Sequence, residues 1–156
     1  MPILKPIKNQ LFVKGLTHDL VRKVSNLECH SCERFFSPSD IRKVIRHSYG
    51  YGLVLTNLLD PVAYVLYLKN KQAAHIVNLV VHPDWRRQGN GTLLINQVKI
   101  RAKRVTAATR ESNLSAHLFF QDNNFMAVDV MKNHFSDEYA EVIEKEDAYA
   151  FEFKEE

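Results

Sequence analysis

A mixed α/β or α+β fold built on one mixed sheet is predicted for this chain, and three observations predict it. Segments with the apolar spacing of helices are interleaved with strand-like segments along the whole sequence. Residues 74–81 are nearly all apolar, which is typical of a central strand covered on both faces. A loop with two glycines, Gly89 and Gly91, separates this strand from a helical segment.

The first elements are a predicted strand and two predicted helices. The strand covers residues 9–14 and ends at Gly15. Thr17 is a predicted cap for the first helix, because apolar residues follow it at helical spacing. The second helix is predicted to begin with Ser37 as N-cap and Pro38 at the first helical position, where its missing N–H would have no helical acceptor.

The remaining elements are mostly strands. A turn at Asp60-Pro61 indicates that the second and third strands form a hairpin. The further strands are predicted over residues 53–56, 62–68, 74–81, 105–109, 125–131 and 148–153. The further helices are predicted over residues 92–103 and 112–119. No repeat or Pro/Gly/Ser-rich linker divides the chain, so residues 1–156 are predicted to form one domain.

Composition narrows the class of function. The chain has 21 Lys and Arg against 18 Asp and Glu, a formal net charge of +3. This excess is small and evenly spread, so no nucleic-acid partner is predicted. No stretch approaches the ~20 apolar residues of a membrane span, and the start lacks the apolar run of a secretion signal. We therefore expect no membrane partner, a cytoplasmic location, and a monomer or homodimer.

Cys29 and Cys32 form a single Cys-x-x-Cys motif around His30. A structural zinc site needs two further ligands at comparable spacing, and the sequence has no second pair of cysteines. A redox motif would be expected at the end of a strand, whereas this one follows a helical pattern. The sequence therefore predicts reduced thiols and no metal site.

The clearest chemical signal is the loop from Arg86 to Gly91. The first N–H groups of a helix lack internal acceptors and the helix dipole adds positive potential, so a helix N-terminus attracts phosphate oxygens. Gly89 and Gly91 let the backbone approach an anion closely, and Arg86 and Arg87 add positive charge. The dinucleotide fingerprint and the Walker loop both fail to match. The loop therefore predicts a binding site for a pyrophosphate.

This loop resembles the Arg/Gln-x-x-Gly-x-Gly/Ala signature of the GNAT superfamily of N-acetyltransferases. Residues 113–125 are similar to the family pattern Asn-x-x-Ala-x-x-Leu-Tyr-x-x-x-Gly-Phe. Residues 132–135, followed by Asp147-Ala148, resemble the tail of bacterial ribosomal-protein N-terminal acetyltransferases. The likeness covers about residues 35–153. It implies a mostly antiparallel sheet of about seven strands with about four helices, splayed at a central bulge.

The resemblance also implies a cofactor, acetyl-CoA, and an acceptor, a primary amine on a protein N-terminus or a small molecule. The pantetheine arm would pair with the backbone of the central strand, and an N–H near Val81 would polarise the thioester carbonyl. The implied cofactor-binding residues are Leu79, Val80, Val81, Arg86, Arg87, Gln88, Gly89, Asn90, Gly91, Thr92, Asn113 and Phe120. The implied substrate-binding residues are His134 and Phe135.

Three positions depart from the family pattern. Phe120 stands where many relatives have a tyrosine that protonates the departing thiolate, and a phenyl ring has no proton to donate. Ala108 stands where the ribosomal subgroup has a glutamate base. Asn124 replaces a glycine, and asparagine also tolerates left-handed backbone.

His75 is the predicted catalytic base, because it lies on the central strand where other branches of the superfamily have a glutamate or histidine. An imidazole with a pKa near neutral can accept the proton of an ammonium group, directly or through water. The alternative is a histidine partly buried against the sheet and satisfied by hydrogen bonds. His134 and Glu111 are weaker candidates for the base.

Two further functions compete with acetylation of a protein N-terminus. One is acetylation of a small amine or of a lysine side chain. The other is a non-catalytic acyl-CoA-binding module, which the phenylalanine at position 120 and the alanine at position 108 motivate.

Overall fold

A computed structural model describes residues 11–31, 36–58, 60–136 and 145–156 of the chain. Helices α1 to α4 cover Val21–Ser31, Pro38–Arg46, Asn90–Lys99 and Leu114–Asp122. Strands β1 to β7 cover Leu11–Gly15, Gly50–Asn57, Asp60–Asn70, Ala73–Val81, Arg104–Arg110, Met126–Ser136 and Lys145–Lys154. The predicted class, a mixed sheet of seven strands with four helices, is confirmed within the described residues.

The strands follow the order β1-β2-β3-β4-β5-β7-β6 in the sheet. The pairs β1–β2, β2–β3, β5–β7 and β6–β7 are antiparallel. The pair β4–β5 is parallel, because the chain returns through the crossover helix α3. Its register runs from Ala73 opposite Arg104 to Ile76 opposite Ala107, and β4 continues to Val81.

Several element boundaries differ from those predicted. Helix α1 begins at Val21 rather than near Thr17, whose hydroxyl donates instead to the Asp19 carboxylate. Helix α3 ends at Lys99 rather than near residue 103, because Arg104 joins strand β5 and its N–H donates to Gln72 O. Strand β6 runs to Ser136 because its last residues pair with β7.

Two groups of residues are each compact. The first unit comprises Met1–Leu68 and Asn78–Asn96, and the second comprises Lys69–Val77 and Gln97–Glu156. The prediction of one domain over residues 1–156 stays a prediction. None of the helices among the described residues combines the length and hydropathy that a membrane span requires.

The first unit begins helix α2 as the sequence predicts. The Ser37 hydroxyl accepts from the Asp40 N–H at 3.2 Å, and the Asp40 carboxylate accepts from the Ser37 N–H at 3.0 Å. Pro38 is at the start of the helix, so the predicted cap is confirmed. At the other end, an added Cβ at Gly50 would lie 1.7 Å from Val44 O, so only glycine lets the chain turn into β2 here.

The first unit buries apolar side chains from three helices and two strands. Its fully buried large side chains include Val21, Val24, Ile41, Val54, Leu55, Tyr64, Leu66, Tyr67, Leu94 and Ile95. Tyr67 also stacks on the exposed ring of Tyr51, with ring centroids 5.5 Å apart. Burial of this set stabilises the unit through the hydrophobic effect.

The second unit has an aromatic core. Phe120 packs against Phe125 and Phe151, with ring centroids 5.0 and 5.6 Å away. The Lys99 ammonium lies 4.0 Å from the centroid of the Phe153 ring and donates to Asn123 O. Burial lowers the pKa of Lys99, but the ring and the carbonyl both favour its charged form.

We expect Thr109→Val to raise the free energy of unfolding by about 1 kcal/mol, because burying an unpaired hydroxyl costs free energy and valine keeps the shape. The Thr109 hydroxyl is buried and has no hydrogen-bond partner among the described residues. Urea denaturation measures the change. Thr56→Val is the matched control, since the Thr56 hydroxyl is also buried but donates to Phe12 O at 3.4 Å, and this variant should lose stability. A destabilised Thr109→Val would contradict the assignment.

Candidate functional site

Helix α3 begins directly after Gly89. The N–H of Leu93 donates to Gly89 O at 2.9 Å, which makes Gly89 the N-cap residue. The amides of Asn90, Gly91 and Thr92 therefore lie in the first helical turn, where the helix itself offers them no acceptor. The amides predicted to face a pyrophosphate lie at the N-terminus of a helix of 10 residues.

Three side chains of the loop donate hydrogen bonds to backbone carbonyl oxygens that lie earlier in the chain. The bonds run from Arg86 Nε to Val81 O at 2.9 Å, from Gln88 Nε2 to Asp84 O at 3.0 Å, and from Asn90 Nδ2 to Trp85 O at 2.7 Å. Asn90 is buried, which strengthens its bond, while the other two donors are exposed. These three side chains hold the loop in place.

Two loop residues have left-handed backbone. Arg87 has φ 56° and Gly89 has φ 80°. Such a conformation is costly for arginine, and strain of this kind is typical of ligand-binding loops. An added Cβ at Gly89 would meet no heavy atom within 4 Å, so the space beside the N-cap is open. The exposed Arg87 side chain makes no ion pair within the described part of the chain. Open space, helical amides and a cation together fit a diphosphate.

His75 lies on β4 opposite Thr106 of β5, and its Nδ1 is 2.9 Å from Thr106 Oγ1. Burial of much of the ring lowers the pKa of His75 below its usual 6.5, and the nearby charge of His134 lowers it further. His75 is nevertheless exposed to solvent as a residue, so water screens part of both effects. Both effects favour the neutral imidazole, the form that can accept a proton.

Helix α4 carries the second predicted cofactor segment. Asn113 is its N-cap, and its side-chain oxygen accepts from the Ala116 N–H at 3.1 Å. Phe120 is buried in the aromatic core of the second unit, so its ring provides packing and no polar contact. Asn124 has φ 63°, which agrees with its replacing a glycine in the family pattern.

His134 and Phe135, which the resemblance implies to be substrate-binding, lie in strand β6, beyond the predicted end of this strand at residue 131. Their rings meet edge to face at 4.9 Å. The Arg110 guanidinium lies 4.4 Å from the centroid of the Phe135 ring and pairs with the Glu146 carboxylate at 3.2 Å. These contacts fix the orientation of Phe135 at the end of the described part of β6.

Comparison with known families decides the family of the chain. Residues 21–125, more than half of its 156 residues, match the Acetyltransferase (GNAT) family. The chain belongs to this family. Its recognition as a GNAT protein from the loop signature is confirmed. No curated protein matches the GNAT chain significantly by sequence.

Solved structures show the same fold for this GNAT chain at low sequence identity. The ribosomal-protein-S18-alanine N-acetyltransferase from Escherichia coli has TM-score 0.80 and 17% identity over 93% of this chain and 94% of its own. Ard1 from Thermoplasma volcanium has TM-score 0.79 and 18% identity over 94% and 98%. NAA60 from Arabidopsis thaliana, solved with acetyl-CoA, has TM-score 0.79 and 11% identity over 93% and 98%.

The predicted site residues of the GNAT chain fall in both compact units. Leu79, Val80, Val81 and the loop belong to the first unit. His75, Asn113, Phe120, His134 and Phe135 belong to the second. Their roles toward a cofactor or an acceptor stay predictions.

Two polar pairs in this GNAT chain are not predicted from its sequence. One joins His75 to Thr106, and the other joins Asn78 Nδ2 to the hydroxyl of the buried Tyr64 at 3.1 Å. Each pair lies across two strands. A single sequence has no signal for them, because the register that brings the side chains together is set by the assembled sheet.

Proposed function

We propose that this GNAT protein transfers the acetyl group of acetyl-CoA to a primary amine, with the N-terminal amine of a protein as the favoured acceptor. The observation that carries the proposal is the loop before α3: Gly89 caps the helix with φ 80° and leaves open space beside it. This arrangement supports binding of a diphosphate such as that of CoA. Family membership supports the same cofactor, because GNAT acetyltransferases use acetyl-CoA.

In this proposal the backbone amides of the loop bind the ligand, and most of its side chains hold those amides in position. The amides of Asn90, Gly91 and Thr92 would bind phosphate oxygens, and Arg87 would add a cation. Arg86, Gln88 and Asn90 would keep those amides in position through their bonds to backbone carbonyls. Preorganisation of this kind lowers the conformational cost of binding.

Acetyl-CoA supplies an activated acyl group as a thioester, which reacts with the neutral form of an amine. His75 would remove the ammonium proton of the acceptor, because its lowered pKa favours the neutral imidazole and its side chain is exposed. Water would return a proton to the thiolate, since the buried phenyl ring of Phe120 has none to give.

The choice of a protein N-terminus as acceptor draws support from the names of similar structures, among them an alanine N-acetyltransferase acting on a ribosomal protein. We expect peptides with a free N-terminus to release CoA at least about tenfold faster than polyamines or aminoglycosides, because peptide side chains add contacts that orient the amine. Thiol detection of CoA measures release, and mass spectrometry locates the acetyl group. A preference for small amines would reject the acceptor assignment and leave acetyl transfer intact.

The second candidate is a non-catalytic acyl-CoA-binding module. The burial of Phe120 and the small side chain of Ala108 favour it, because neither position offers a group that moves a proton. Tight binding of acetyl-CoA with no release of CoA to any amine in the panel would establish this function instead.

A further inference from the structure

We propose that Thr106 is a positioning residue that sets the tautomer of His75, so that Nε2 of the ring accepts the proton. This inference deepens the proposed acetyl transfer and rests on it for its catalytic meaning. The hydrogen bond itself does not depend on any ligand. His75 and Thr106 are direct register partners on parallel strands, so their side chains project from the same face of the sheet.

Whether His75 Nδ1 donates or accepts in its hydrogen bond to Thr106 follows from the contacts of the Thr106 hydroxyl. It lies 2.9 Å from His75 Nδ1 and 3.5 Å from Ala74 O. A carbonyl oxygen can only accept, and a hydroxyl has a single proton to donate. Both hydrogen bonds form only if that proton is directed to Ala74 O; the lone pairs of the hydroxyl then face Nδ1, which carries the ring proton. Nε2 is left with its lone pair.

The charged groups around this pair leave the arrangement undisturbed. Strand β7 pairs with β5 on the side opposite β4, and there Glu152 lies opposite Thr106. The Glu152 carboxylate forms ion pairs with Arg104 at 2.5 Å and with Lys154 at 2.8 Å. From β6, His134 acts on His75 as a like charge when both are protonated. No carboxylate therefore competes with Thr106 for Nδ1 within the described part of the second unit.

The neutral Nδ1–H tautomer is the one a base in this position needs. A base must present an unprotonated nitrogen to the acceptor amine. Nδ1 cannot do so, because it is hydrogen-bonded to Thr106. Without the Thr106 hydroxyl, the Nδ1–H and Nε2–H tautomers of the neutral His75 ring would interconvert through solvent. Only part of the population would then present Nε2 as a base.

Nitrogen NMR of histidine-labelled protein without acetyl-CoA tests the tautomer. Protonated and unprotonated ring nitrogens have well separated shifts, and His75→Gln assigns the signals of this ring. At mildly alkaline pH we expect Nδ1 to be protonated in the wild type and in Thr106→Ser, and Nε2–H to become populated in Thr106→Val. Thr109→Val is the matched control on the same strand, because its hydroxyl has no partner among the described residues. It should leave the spectrum unchanged.

Kinetics test the consequence. We expect Thr106→Val to lower kcat about tenfold with an unchanged KM for acetyl-CoA, and Thr106→Ser to restore most of the rate. A wild-type ring protonated at Nε2, or a Thr106→Val variant with the same tautomer and rate as wild type, would overturn this inference alone. A wild-type protein that acetylates no amine would overturn the proposed function, and with it the catalytic role of Thr106, whatever tautomer is measured.

Discussion

Replacing Gly89 with glutamate is expected to weaken acetyl-CoA binding about a hundredfold, which corresponds to about 2.7 kcal/mol. Gly89 has φ 80°, so any side chain there is strained, and the open space beside it would receive the new carboxylate. That carboxylate would lie at the helix N-terminus, where it competes with the phosphates for the amides and repels them. Isothermal titration calorimetry measures the affinity.

Gly15→Glu is the matched control for this variant. Gly15 is also exposed and an added Cβ there meets no atom within 4 Å, but it lies at the end of β1 and has no positive φ. It adds the same charge and should bind acetyl-CoA with wild-type affinity. Gly89→Ala separates strain from charge, since it keeps the first and lacks the second. Equal affinity of Gly89→Glu and wild type would reject the assignment of the diphosphate to this loop.

The parts of the fold that the sequence predicts are those set by local chemistry. Ser37, Pro38 and Asp40 form a capping box within a few residues of one another, and the structure has it where the sequence predicts it. The glycine loop is likewise local, because a strand, Gly89 and the following helix are consecutive in the chain. Such features need no knowledge of the rest of the sheet.

The parts that the sequence does not predict depend on pairing between distant residues. Strand β6 extends past Met131 because Phe135 pairs with Glu146, and this pairing has no signature near either residue. The end of α3 is similar, since Arg104 starts β5 and its N–H donates to the Gln72 carbonyl in the turn between β3 and β4. Cys32 of the Cys-x-x-Cys motif and residues 9–10 of the first predicted strand lie outside the described residues.

His75→Gln is expected to lower kcat about a hundredfold, the usual contribution of a general base. Glutamine keeps a polar side chain of similar length but cannot take up a proton near neutral pH. In the wild type, kcat/KM should fall at acid pH as His75 becomes protonated. Because burial and His134 lower the pKa of His75, the midpoint of this limb should lie below 6.5. The variant should lack the limb, and a pH series of initial rates measures it.

The same pKa shift contributes to the dependence of stability on pH. His75 is harder to protonate in the folded chain than in the unfolded one, so the unfolded state binds more protons just below pH 6.5. Stability should therefore fall as pH decreases through that window, and His75→Gln should remove this part of the dependence. Unfolding at acid pH would also lower the rate. The folded fraction therefore has to be measured by circular dichroism at each pH of the kinetic series.

His18→Gln is the control for the loss of a histidine as such, because His18 is exposed in the first unit, before α1. It should keep both the rate and the acid limb. If His75→Gln keeps them too while acetyl-CoA is still consumed, His75 takes no part in proton transfer. The ammonium proton would then pass to water or to another side chain, and the bond to Thr106 would be a structural link between β4 and β5.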